Sequence, residues 1–304
     1  MDFLTRLPVV GPLVARVLRS RPYRVYEHFT AVRANRLAGA VTFFGFLALF
    51  PLLTVALAIA VRTLSDSRVA ELQKRIADQL PGLSDSLDLN SLIANAGTLG
   101  LVSGVLLLLS GLGWVDTMRS SIRDIWMLPQ EPGNPVLHKA WDCLVLFGLG
   151  LVSLVSLGAS AAGTTLAGRL ADAVGLDRNG PGGYLFSAVG LLIAVVSDMV
   201  LFAYLLAPFP RITGQSRRSL VQGALMGAVG FELLKLLLAS YLGSVAGRSL
   251  YGAFGVPVAL LLWINFVSRL LMYCVSWTAL ADPEAARERA RDQARRVLNA
   301  PEGE

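Results

Sequence analysis

The sequence predicts an all-α membrane protein with six transmembrane helices and with both termini in the cytoplasm. Two observations carry this prediction: six long apolar stretches, and an uneven distribution of Lys and Arg between the connecting loops. A spanning helix needs about 20 predominantly apolar residues, with a range of about 17–25. Six stretches meet this requirement: Leu37–Val61, Thr98–Val115, Cys143–Leu166, Tyr184–Leu206, Leu220–Leu242 and Val256–Leu280.

The basic residues set the predicted orientation. Eighteen Lys and Arg residues lie on one side of the spans, in the N-terminal arm, the loops after spans two and four, and the tail, whereas seven lie on the other side. Basic residues accumulate in cytoplasmic loops, so the richer side is predicted to be cytoplasmic. The net charge of +6 is therefore interpreted as a topology signal with contacts to anionic lipids, and no nucleic-acid partner is expected.

The same pattern divides the chain into three regions: a basic cytoplasmic arm (1–36), a transmembrane domain (37–280) and a charged cytoplasmic tail (281–304). Apolar residues recur at helical spacing in the arm, which predicts an amphipathic helix lying on the inner leaflet or packed under the bundle. The external loop 62–97 has two short amphipathic stretches separated by Pro81-Gly82. They predict a small helical hairpin over the outer face.

Two spans carry residues that affect the backbone. Pro51 lies near the middle of span one, where a proline removes a backbone donor and predicts a kink that can serve as a hinge. In span five, Gly223 and Gly227 are four residues apart, and this spacing permits close approach of a neighbouring helix. Packing within the chain is the default expectation, and a dimer contact is the alternative.

Four ionisable residues interrupt the last three spans: Asp198, Glu232, Lys235 and Arg269. A charge at the bilayer centre costs roughly 2.5–3.5 kcal/mol on insertion scales, so such residues usually face a protein interior or a water-filled cavity. Glu232 and Lys235 are three residues apart and share one helix face. Counting along the spans places Asp198, Glu232 and Arg269 at similar depth, which predicts a shared polar cluster near the midplane.

A polar and aromatic stripe runs along span six, because Asn265, Arg269, Tyr273 and Trp277 repeat every fourth residue. Two interpretations of the charged residues compete. In the structural one, Asp198 or Glu232 pairs with Arg269 or Lys235 and fixes the packing of three helices. In the functional one, which we favour, the cluster lines a cavity that binds an anionic or polar group or relays protons.

Enzymatic interpretations find little support in the sequence. It contains no HExxH, GxSxG or Walker motif. The two histidines, His28 and His138, are isolated, and the cysteines, Cys143 and Cys274, have no partner at metal-ligand spacing. We therefore expect a protein that is not an enzyme and that holds no metal and no cofactor.

The last two spans contain a characteristic set of residues: Gly223, Ala224, Glu232, Tyr241, Tyr251, Gly252, Leu261, Leu262 and Trp263. In these residues the spans resemble the YihY/virulence-factor BrkB family of bacterial inner-membrane proteins, in a branch similar to YhjD. The similarity extends to AVTFFGFLALFPLLT around Pro51 and to the Arg123…Trp126 segment. Phe43-Phe44 departs from it, since many members carry tyrosine there.

The resemblance implies a six-helix inner-membrane protein connected with envelope integrity, in a family proposed to move lipids or other envelope components. An older family label, ribonuclease BN, is disfavoured by this sequence, because two isolated histidines cannot assemble a di-metal centre. The expected function is a transporter or flippase for a lipid or anionic envelope component. A non-transporting scaffold protein of the envelope and a proton-coupled exporter of a small solute are the alternatives.

In the transport hypothesis, Arg269 and Lys235 contact the anionic group, while Glu232 or Asp198 balances them or carries a coupling proton. Membrane lipids are the expected partners, and the sequence leaves the oligomeric state open. The candidate substrate residues are Glu232, Arg269, Lys235, Asp198, Asn265, Tyr273 and Trp263, and the candidate hinge and packing residues are Pro51, Gly223, Gly227, Tyr251 and Gly252.

Overall fold

The protein's structure, a computed structural model, is all-helical in the part of the chain that it describes. That part comprises residues 16, 18, 20–63, 96–128, 141–144, 148, 181–212, 215–245 and 252–281. We number its helices α1 (Arg21–Ala31), α2 (Ala34–Thr63), α3 (Ala96–Ile125), α4 (Pro181–Leu206), α5 (Arg217–Val245) and α6 (Gly252–Ala279).

Five of these helices are long and apolar enough to cross a membrane, and they confirm five of the six predicted spans. The predicted third span, 143–166, falls mostly outside the described residues, of which 143, 144 and 148 are helical. The predicted amphipathic stretch before residue 16, the external hairpin and the tail beyond residue 281 also lie outside. The predicted third span and the orientation of the bundle therefore stay predictions.

The second span extends further than the sequence predicted. Its expected end at Val115 was wrong, because α3 continues to Ile125 and includes Arg119 and Arg123, which had been placed in a loop. The prediction ends this span before the two arginines because charged residues are typical of the loops between spans. They are tolerated here because both arginines are buried and bonded within the protein.

The short helix α1 was not predicted as a separate element. It begins with Pro22 in its first turn, a position where the missing backbone N–H is not needed. Val25 and Phe29 are buried and lie one turn apart, and the helix packs against α6 and α2. Arg33, in the left-handed region at φ 54°, turns the chain from α1 into α2.

The core joins the helices at the end of the bundle that is predicted to be cytoplasmic. α4 packs on α5, α5 on α6, α6 on α2, and α2 on α3. The largest fully buried side chains include Phe202 and Leu206 of α4, Phe209 after it, and Met272 of α6. Many other apolar side chains are exposed, as is expected of helices that face lipid.

Two glycines of α5, Gly223 and Gly227, lie against side chains of neighbouring helices. A Cβ at Gly227 would lie 2.2 Å from a ring carbon of Phe202, and one at Gly223 would lie 2.8 Å from Cγ2 of Thr278. α5 therefore approaches both α4 and α6 closely. In span one, α2 continues through Pro51 as a single helix, and the kink there stays a prediction.

Candidate functional site

Three of the four membrane-embedded charges meet between α4 and α5. Nζ of Lys235 lies 2.9 Å from Oδ2 of Asp198 and 2.8 Å from Oε1 of Glu232, and it donates to both carboxylates. Glu232 and Lys235 face the same way because they are three residues apart on α5. Asp198 reaches them from α4. We call these three residues the charged triad.

The charged triad is unequally buried and not neutral. The side chain of Asp198 is 5% exposed and that of Glu232 15%, whereas that of Lys235 is 36% exposed. With all three groups ionised, one cation faces two carboxylates and the formal charge is −1. Such an excess charge in an apolar span is costly.

Arg269 does not join the charged triad, which corrects the prediction of a four-residue cluster. Its side chain is exposed on α6, and within the described residues it forms no ion pair. Two other residues of the polar stripe contact α1 and α2 instead. Nδ2 of Asn265 donates to Oγ1 of Thr42 at 3.1 Å, and the hydroxyl of Tyr273 donates to the carbonyl of Pro22 at 3.3 Å.

Aromatic side chains connect the charged triad to α6. Nζ of Lys235 lies 5.0 Å from the ring centroid of Phe231. The Phe231 ring packs on Phe202 of α4, with centroids 6.1 Å apart, and on Trp263 of α6, at 5.7 Å. The indole nitrogen of Trp263 is buried and has no hydrogen-bond partner among the residues that the structure describes. Phe231 thus contacts both the triad lysine and the tryptophan that the family resemblance singled out.

A cavity of about 450 Å³ lies beyond Trp263, between α5 and α6. Both of its walls belong to candidate membrane spans, 217–241 and 257–279. Among the described residues, no lining side chain carries a charge, and the polar groups are those of Ser240, Tyr241 and Trp263. The lining residues are Leu234, Leu237, Leu238, Ser240, Tyr241, Ala259, Leu262, Trp263 and Phe266.

The structure also shows a buried polar cluster that the sequence did not reveal. Arg119 of α3 donates to both carboxylate oxygens of Asp142, and these two residues are 7% and 1% exposed. Nη1 of Arg123 donates to the carbonyl of Pro210 at 3.3 Å, and Nε2 of His28 lies 2.9 Å from the carbonyl of Ile125. The cluster connects α1, α3 and the turn after α4. The sequence signal of this cluster is the pair Arg119 and Arg123, four residues apart. Two such charges after an apolar stretch also indicate a loop, so the signal does not identify the cluster.

The family model described as "Virulence factor BrkB" matches residues 25–298. The chain belongs to the Virulence factor BrkB family. Residues that carried the resemblance surround the site: Glu232 is in the charged triad, and Tyr241, Leu262 and Trp263 line the cavity. Gly252 begins α6, and Tyr251 lies outside the described residues.

Relatives of this BrkB-family chain include proteins named as membrane proteins. Inner membrane protein YhjD of Escherichia coli (strain K12) is 24% identical over 89% of this chain and 82% of its own length. An uncharacterized protein of Dickeya dadantii (strain 3937) is 29% identical over 90% and 85%. A UPF0761 membrane protein of Neisseria meningitidis serogroup B is 28% identical over 90% and 65%. No solved structure matches the chain.

These relatives and the apolar helices establish the location of the protein. It is a multi-pass protein of the bacterial inner membrane. The names of the family and of these relatives state no enzymatic activity. Among the residues that the structure describes, no three His, Cys, Asp or Glu side chains are grouped so that they could hold a metal ion.

Proposed function

We propose that this protein is a transporter or flippase that moves a lipid or another anionic envelope component and thereby supports envelope integrity. The observation that carries the proposal is the apolar cavity between α5 and α6, next to a charged triad inside membrane spans. Cavities that bind small molecules typically have about 300–1,000 Å³ and mostly apolar walls. A hydrocarbon chain from the surrounding bilayer suits such a cavity better than a polar solute does.

Arg269 supplies a contact for the anionic end of such a lipid. It is three residues from the cavity-lining Phe266 and therefore lies on the same side of α6, one turn towards the predicted cytoplasmic face. Its guanidinium is exposed and can bind a phosphate in bidentate fashion. An acyl chain in the cavity would then have its headgroup near Arg269. Lys235 is already paired with two carboxylates, so we do not expect it to contact the headgroup.

The charged triad is suited to carry a coupling proton. Uptake of one proton by Asp198 or Glu232 neutralises the triad, and its release restores a charge of −1. Phe231 contacts Lys235 as well as Trp263 of the cavity wall, so a change at the triad can alter the cavity. A proton-coupled exporter of a small solute would use the same triad, but the apolar lining of the cavity favours a lipid.

One observation favours the scaffold alternative. Lys235 is bonded to both carboxylates at once, which is the pairing expected if these charges only fix the packing of α4 against α5. A scaffold needs neither an apolar cavity nor an exposed arginine on the adjacent helix. Transport measurements with the following variants separate the two functions.

Filling the cavity is expected to reduce lipid movement. Ser240→Trp puts an indole ring into the cavity, and we expect it to weaken lipid binding by about 1.4 kcal/mol. That loss corresponds to a tenfold change, so flux should fall about tenfold. The probe is fluorescently labelled phosphatidylglycerol in proteoliposomes, and movement between leaflets is followed by quenching with dithionite. Ala239→Trp is the matched control, since Ala239 is exposed and does not line the cavity. Equal flux in both variants and wild type would contradict the assignment of the cavity.

Removing the charge of Arg269 is expected to change headgroup preference. Hydrogen bonds to charged groups contribute about 1.5–3 kcal/mol, so Arg269→Gln should reduce flux of labelled phosphatidylglycerol about tenfold or more. Flux of labelled phosphatidylcholine, which has no net charge, should fall much less. Arg36→Gln, which removes another exposed arginine at the start of α2, is the control. An equal loss for both lipids would place Arg269 outside headgroup recognition.

A further inference from the structure

We propose a second lipid site, for the headgroup of an anionic phospholipid of the inner leaflet, at the corner where α1, α5 and α6 meet. Its cations are Arg21, which contacts Gln222 and Trp277, and the nearby Arg24 and Arg218. We call this group the arginine corner. It is separate from the cavity, and the inference does not depend on transport.

Arg21 is fixed in place without losing its charge. Its Nη1 donates to Oε1 of Gln222 at 2.9 Å, and its guanidinium carbon lies 4.2 Å from the ring centroid of Trp277. The indole nitrogen of Trp277 donates to the same Gln222 oxygen at 3.3 Å. These partners are neutral, so they orient the guanidinium and leave its positive charge uncompensated.

Two more arginines, Arg24 and Arg218, lie near Arg21. Arg24 is three residues from Arg21 on α1, and Arg218 is four residues from Gln222 on α5, so each shares a helix side with its neighbour. Both are exposed. Burial, together with the positive charges of Arg24 and Arg218, lowers the pKa of the Arg21 guanidinium. Among the described residues, no carboxylate is within ion-pairing distance of these three arginines.

The position of the arginine corner indicates a lipid headgroup as the missing anion. Arg218 lies at the start of the span 217–241 and Trp277 near the end of the span 257–279. Tryptophan and arginine in such positions lie at the headgroup level of a bilayer. This end of the bundle is predicted to be cytoplasmic, where anionic lipids attract basic segments and where pockets of basic residues bind phosphate headgroups.

The test measures how lipids stabilise the purified full-length chain in neutral detergent. Thermal unfolding is followed while phosphatidylglycerol, phosphatidylcholine or inorganic phosphate is added. We expect phosphatidylglycerol to raise the unfolding temperature of the wild type, and the other two to leave it unchanged. Arg24→Gln and Arg218→Gln should each weaken the apparent affinity for phosphatidylglycerol about fivefold, which corresponds to roughly 1 kcal/mol per arginine.

Both variants change exposed side chains and leave the Arg21–Gln222–Trp277 contacts in place, so their unfolding temperature without lipid should match the wild type. Arg36→Gln is the control and should keep the wild-type response. An unchanged phosphatidylglycerol response in Arg24→Gln and Arg218→Gln would overturn the proposal, as would an equal loss in Arg36→Gln. Equal stabilisation by phosphatidylcholine or by inorganic phosphate would overturn the assignment to an anionic lipid.

Discussion

Lys235→Met is expected to destabilise the protein by about 3 kcal/mol and to abolish lipid flux. Removing one partner of a buried ion pair costs about 3–5 kcal/mol, because the remaining charge stays buried and uncompensated. We expect the lower end, since the Lys235 side chain is 36% exposed and is partly solvated or lipid-facing. Without it, Asp198 and Glu232 face each other as like charges. The measurements are thermal unfolding in detergent and flux of labelled phosphatidylglycerol.

A double variant separates the structural from the functional role of this lysine. Lys235→Met with Asp198→Asn removes one positive and one negative charge, and should recover most of the lost stability. If the triad carries a coupling proton, flux should stay low in the double variant. If the triad only fixes packing, any function should return with stability. Leu236→Met, at a neighbouring exposed position, is the control and should behave as wild type in both assays.

An unfolding temperature of Lys235→Met equal to that of wild type would contradict the energetic role of the triad. It would mean that the two carboxylates share a proton, or reach water, without the lysine. Glu232→Gln then becomes informative, because it leaves one carboxylate for one ammonium. That variant should unfold close to the wild-type temperature, while its flux should fall if Glu232 takes up the coupling proton.

The sequence grouped Asp198, Glu232 and Lys235, which meet in the structure, but it also grouped Arg269 with them, which does not join the charged triad. The spacing of Glu232 and Lys235 is sufficient to place them on one side of α5. Because an unpaired charge in a membrane span is costly, Asp198 is expected to pair with a cation such as Lys235. The position of Arg269 could not be predicted this way, because depth along a helix says nothing about its rotation. The rotation of α6 is set by contacts such as Asn265 with Thr42, and these depend on the packed fold.

The helix ends show a similar limit. The apolar pattern located five spans but ended the second at Val115, ten residues before the end of α3. An arginine in a span is indistinguishable from a loop arginine until its partner is known. The partner of Arg119 is Asp142, which is 23 residues away in sequence and becomes its neighbour only after folding. The cavity was also unpredictable, because it depends on how far α5 and α6 separate beyond their glycine contacts.

Gly227→Ala is expected to destabilise the protein by about 3 kcal/mol, although it adds only one methyl group. Overpacking a tightly packed core typically costs about 1–3 kcal/mol, and this site should reach the upper end. The new Cβ would lie 2.2, 2.5 and 2.6 Å from three ring carbons of Phe202. That ring is 2% exposed, so the surrounding core leaves it little room to move aside. α4 and α5 must therefore separate, which also moves Asp198 away from Lys235. The unfolding temperature and the flux of labelled phosphatidylglycerol should therefore both fall.

Gly190→Ala is the matched control on α4, because a Cβ at Gly190 meets nothing within 4 Å. Alanine is preferred over glycine in a helix by about 0.8–1.0 kcal/mol, so this variant should be as stable as wild type or slightly more stable. Adding Phe202→Leu to Gly227→Ala should restore part of the lost stability, since a smaller side chain leaves room for the methyl group. If Gly227→Ala instead unfolds normally and changes only the oligomeric state, the glycine would serve a contact between copies of the chain.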